Sequence, residues 1–178
     1  MIRAVAHMLL LAGLAAPTAQ PALAWSAAHP PAAEDSPEAA EARAWNETRA
    51  GLFADVCMGS APGFEGFAEA AAAAGFAEED GKLVYPPEVV LRLIPGAADC
   101  LCAMTMGAPD PDALAATVFG RLMDDYGSHW RPTSAQGSLY DTYFERDGKL
   151  VRVMQRPEEI SGGTWLSGLV AVPGRCPE

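Results

Sequence analysis

The feature that most limits what this chain can fold into is its set of four cysteines. Cys57 and Cys176 lie far apart, while Cys100 and Cys102 flank a single leucine in the stretch CLCAMTM. Four cysteines allow three pairings, and one of these fails on geometry. Residues i and i+2 of an extended strand are roughly 6.6 Å apart with parallel side chains, at the far limit of disulfide Cα separations and with the sulfurs side by side instead of facing. Cys100 and Cys102 are therefore expected to reach different partners, one bonding Cys57 and the other Cys176. Met104 and Met106 continue the alternation, so a strand here projects all four sulfurs to one side of its sheet.

Such cross-links need an oxidising compartment, and the N-terminus reads as an address to one. Arg3 gives a positive start, MLLLAGLAA from Met8 to Ala16 is a short apolar run, and Ala22-Leu23-Ala24 is an A-x-A cleavage pattern ahead of Trp25. Residues 1–24 are expected to be a signal peptide cleaved after Ala24, and the product to be periplasmic or secreted. No run approaches the length of a membrane span. The chain carries 12 basic against 23 acidic residues and a net charge of −11, which becomes −12 when Arg3 leaves with residues 1–24. A surface this acidic repels nucleic acid and anionic lipid, so the expected partner is a protein or a small molecule.

The Pro- and Ala-rich segment 25–35 has no periodicity and reads as a flexible leader. Residues 36–178 are expected to form one domain. Ser36-Pro37-Glu38 has the form of a helix start, and the spacing predicts a helix from there to about Met58 with Cys57 on its apolar side. In APGFEGFAEAAAAAGFA a second, short helix is expected, closed by Gly75 with Phe76 folding back onto it. Val89, Leu91 and Leu93 alternate with Val90, Arg92 and Ile94, Pro95-Gly96 breaks the run, and CLCAMTM forms the next strand. Asp110-Pro111-Asp112 opens a third helix on Leu114, Val118 and Leu122.

The last third reads as a meander. Asp147-Gly148 is a two-residue hairpin signal, and pairing outward from it sets Phe144 against Val151 and Thr142 against Val153 as a core face. Tyr143, Arg152, Asp141 and Met154 fall on the other face. Ser161-Gly162-Gly163 turns the chain into a final strand from Thr164 to Val172, in which Gly168 is expected as a bulge. The fold expected is α+β: an antiparallel sheet of about five strands with helices packed on one face, stabilised by disulfides.

Two groups of residues carry side chains capable of chemistry. Cys100, Cys102, Met104 and Met106 are soft ligands of the kind that select Cu(I), but cysteines held in disulfides cannot act as thiolates, and methionine is a common filler of buried strands. His129, in DDYGSHW, is the one histidine a hydrolase in residues 36–178 would have to use. No G-x-S-x-G elbow, H-E-x-x-H pair or phosphate-binding glycine loop accompanies it, and a cationic side chain near a helix C-terminus has a structural role of its own. No catalytic, cofactor-binding or metal-binding residue is assigned.

FADVCMGSAPGFEGFAEAAAAAGF and CAMTMGAPDPDALAATVFGRL together resemble small exported proteins of alpha-proteobacteria that carry no assigned function. The resemblance implies a cysteine of the first helix bonded to the CLCAMTM strand, and it transfers no catalytic residue. The reading reached from sequence is an exported, non-enzymatic binding or envelope-associated module, with the copper protein and the hydrolase as alternatives.

Overall fold

The computed structural model describes residues 36–127, 130–132 and 137–177. Residues 1–35, expected from sequence to be signal and leader, and His129 lie outside the described residues.

The chain enters through α1 (Pro37–Leu52), where Ser36 caps the N-terminus by accepting from the Ala39 amide at 3.1 Å and Pro37 occupies the first turn. The helix then widens into a π-helical segment, Phe53–Met58. This change of period turns Phe53, Ala54, Val56, Cys57 and Met58 all inward. A regular helix presents a narrower apolar stripe. After the buried Phe64 comes α2 (Phe67–Ala73), which ends as its glycine demands. Gly75 sits at φ +92°, its amide bonds Ala72 and that of Phe76 bonds Ala71, and Phe76 is buried. This is the paired closure that a left-handed residue permits.

Four strands follow: β1 (Ala77–Glu79), β2 (Lys82–Tyr85), β3 (Val89–Pro95) and β4 (Asp99–Gly107). Helix α3 (Pro111–Tyr126) is capped by Asp110, which accepts from the Ala113 amide at 3.0 Å, and buries Leu114, Ala115, Val118 and Leu122. Four more strands complete the chain: β5 (Trp130–Pro132), β6 (Tyr140–Arg146), β7 (Lys149–Ile160) and β8 (Gly163–Pro173).

All eight strands join one sheet in the order β1-β2-β3-β4-β8-β7-β6-β5, and every pairing is antiparallel. The architecture is two four-stranded meanders linked by α3, the second running back so that β8 closes against β4. The α+β class and antiparallel sheet agree with the sequence; the strand number does not, being eight among the described residues where about five were expected. The extra hairpin, β1–β2, turns at Asp80-Gly81, both at positive φ. That is the same Asp-Gly device that closes β6–β7 at Asp147-Gly148. The remaining extra strand, β5, is three residues long and forms an edge.

The helices lie on one face of the sheet. Against them point Val89 and Leu91 of β3, Cys100, Cys102, Met104 and Met106 of β4, Phe144 of β6, Val151 and Val153 of β7, and Leu166, Val170 and Val172 of β8, all buried. The β6–β7 register pairs Phe144 with Val151 and Thr142 with Val153, as alternation predicts. Gly168 is not a bulge. It stays in register, opposite Met104 on one side and Gln155 on the other. It is glycine because the Phe53 ring lies on it: a Cβ there would stand 2.7 Å from Phe53 Cε2.

Two cross-links and two arginines fasten the layers. Cys57 bonds Cys102, tying the π segment to the middle of β4, and Cys100 bonds Cys176, tying the chain end to the start of that strand. The first of these fits the pairing that the resemblance implies. Arg49, almost fully buried, stacks on the Trp45 ring and donates to the Pro87 carbonyl at 2.9 Å; burial lowers its pKa to about 10. Arg146 donates to the Met58 carbonyl, supplying a partner to the end of the π segment, and stacks over Tyr126.

Candidate functional site

Among the described residues no helix lies on the opposite face of the sheet, and its shape follows from the register. Successive rows read Val90, Thr105, Ser167, Arg156; then Arg92, Ala103, Leu169, Met154, Asp141; then Ile94, Leu101, Ala171, Arg152, Tyr143, from β3 through β4 and β8 to β7 and β6. Four of the six residues that the central strands β4 and β8 contribute to these rows are Ala, Ser or Thr. Larger side chains flank them on β3 and β7. Side chains stand about perpendicular to a sheet, so short ones between long ones leave a hollow.

Two depressions result. The larger, about 450 Å³, is floored by Ala103, Thr105, Ser167 and Leu169 and walled by Val90, Arg92, Ile94, Lys82, Glu158, Ile160 and Trp165. The second, about 410 Å³, lies one side-chain step further along β8, between Leu101, Tyr143, Leu150, Arg152, Met154 and Ala171. Trp165 is held by its indole N–H, which donates to the Ile160 carbonyl across the β7–β8 turn at 3.3 Å. Volumes of a few hundred Å³ lined mainly by apolar groups are typical of small-molecule sites.

The two depressions differ in charge. In the second, Arg152 binds Asp141 through two hydrogen bonds of 2.9 and 2.8 Å, and the Asp141 side chain is only 1 % exposed. The hydrogen bond to Asp141 raises the Arg152 pKa, so the guanidinium stays charged and is already neutralised by its partner. In the first, Lys82 and Arg92 stand on the same side of the hollow, and neither has an ion-pair partner among the described residues.

Exposed apolar side chains follow the same division. Among the described residues the large hydrophobic groups left exposed are Ile94 (39 %), Leu150 (44 %) and Ile160 (39 %). All three border these depressions. They are spread along the face and not joined in one patch, Leu150 and Ile160 standing near opposite ends of β7.

The sulfur-rich face of β4 is a different place. All four cysteines are in disulfides, and Met104 and Met106 are fully buried in the core. The structure thus brings the four proposed copper ligands onto one face as predicted, but as a cross-linked core with no thiolate to offer. Among the described residues no group of three or more His, Cys, Asp or Glu is placed to hold a metal ion, and no helix is long and apolar enough to cross a membrane. Tyr143, Arg152, Asp141 and Met154, read from sequence as a mixed face, do share the open side.

Sequence reasoning missed the larger depression because it followed the core parity of each strand. The signal was in the other parity, where Ala103 and Thr105 interleave with the sulfur residues of β4, and Ser167 and Ala171 interleave with the core residues of β8. No family model matches the chain, and neither a curated protein nor a solved structure is significantly similar to it.

Proposed function

We propose that this is an exported, non-enzymatic binding module, envelope-associated or secreted after removal of residues 1–24, which binds through the open face of its sheet. The observation that carries this reading is that Ile94, Leu150 and Ile160 all border the hollows of that face. The two disulfides support the export half, since an oxidising compartment is where they persist.

The test of the binding half uses the neutral fluorescent probe N-phenylnaphthylamine with the purified protein. Saturable binding is expected, weakened about tenfold by Leu169→Asp, which places a charge on the floor of the hollow at a cost of about 1.4 kcal/mol. Absence of saturable binding, or binding indifferent to that substitution, would remove the open face as the site.

A further inference from the structure

Resting on that reading, we infer that the larger depression takes an amphipathic anion, a free small molecule whose apolar body lies over Ala103 and Leu169 and whose charged end meets Lys82 and Arg92. The apolar half follows from the hollow itself. Ala103 and Leu169 form its floor, Val90 and Ile94 one wall, and Ile160 and Trp165 the far end.

The anionic half follows from where the cations are. Acids outnumber bases about two to one in this chain, so cations are scarce, and two of them line one hollow. Lys82 stands one residue beyond the Leu83–Leu91 pair, beside Arg92 on the next strand. Glu79 of β1 stands in register with Lys82 on its other side but forms no ion pair with it, so Lys82 and Arg92 on adjacent strands still repel each other, and an anion between them relieves this. Arg152 on the same face shows the contrast, because Asp141 already occupies its guanidinium. Glu158, the one acid of the hollow, is three strand spacings from Arg92, about 14 Å across the sheet, beyond the reach of an ion pair.

The same charges favour a monomeric amphiphile over an anionic membrane. A membrane surface laid on the open face meets the many acidic groups of a chain of net charge −11 and is repelled by them; the Debye length at physiological salt is about 8 Å. A single small anion that enters the hollow is inside that distance, where Lys82 and Arg92 are the nearest charges.

The experiment displaces N-phenylnaphthylamine from the purified protein with decanoate and with decanol, which share a chain length and differ in charge. The quantity read is the ratio of the decanol to the decanoate concentration at half displacement. It is expected to fall about fivefold in the double variant Lys82→Gln, Arg92→Gln, equivalent to about 1 kcal/mol. It should fall in the same direction when salt is raised for the unaltered protein, and Lys149→Gln, at the β6–β7 hairpin, should leave it unchanged. A ratio unmoved by the double variant overturns the assignment of the anion to these cations while leaving the open-face site standing. Failure of the probe to bind at all removes both. Sedimentation showing a dimer that excludes the probe makes the occupant a second copy of the chain and overturns the small-molecule proposal.

Discussion

The covered and open faces of strands β4 and β8 are built from interleaved residues of the same two segments, and they differ more in side-chain size than in polarity. Toward the helices β4 sends Cys100, Cys102, Met104 and Met106, each with at most 2 % of its surface exposed. Away from them it sends Leu101, Ala103 and Thr105. On β8 the order is reversed in one place: Gly168, the smallest residue, faces inward, because the Phe53 ring comes down onto it, while Leu169 faces out. Close packing fills the inner face to the point where a single added methyl meets a ring, and the outer face keeps hollows that none of the described residues fills. Alternation therefore gives one strand two environments, a close-packed side and an open side.

The strongest way to break this contrast is to remove the cross-link on the inner side. Cys57→Ala with Cys102→Ala opens a loop of sequence separation 45, and closure of a loop of that size corresponds to about 4 kcal/mol. A drop of that order is expected in a urea unfolding experiment, with probe binding retained at low denaturant. Next comes Gly168→Ala, which forces Phe53 to shift and is expected to destabilise by about 2 kcal/mol, again measured by urea midpoint and again without weakening the probe. The smallest stability change, within about 0.5 kcal/mol, is expected for Ala103→Leu on the outer side. That substitution should nevertheless abolish probe binding by filling the floor. A large loss of stability from Ala103→Leu, or loss of binding from Gly168→Ala, would mean that the two faces are not independent.

Local signals in the sequence were good guides wherever the structure depends on neighbours in the chain. Ser36 and Asp110 cap their helices, Gly75 and Phe76 close α2, and the β6–β7 register follows from Asp147-Gly148 alone. The Asp80-Gly81 hairpin was equally legible by the same rule, yet the flanking residues Ala77, Glu78 and Glu79 are all exposed and lack the alternation that marks a half-buried strand. The bulge expected at Gly168 failed for another reason. A glycine in a strand signals either a bulge or a close approach, and the approaching residue, Phe53, is more than a hundred positions away in the sequence. The hollow was hidden in the same manner, since it needs β4 and β8 side by side with their small residues in one row.

The cysteines show where the boundary lies. The sequence alone determined that Cys100 and Cys102 cannot bond each other and that both face one side, because strand geometry is local. It left open which of them takes Cys57, since that depends on how β4 lies against β8 and under the π segment. Tertiary structure decided it through register: Cys102 stands opposite Val170 beneath Cys57, whereas Cys100 stands opposite Val172, and β8 ends one residue later. Cys176 follows soon after that end, and the tail turns back to bond Cys100. Pairing between strands far apart in the chain is fixed by the whole packed sheet, and no spacing within either strand contains it.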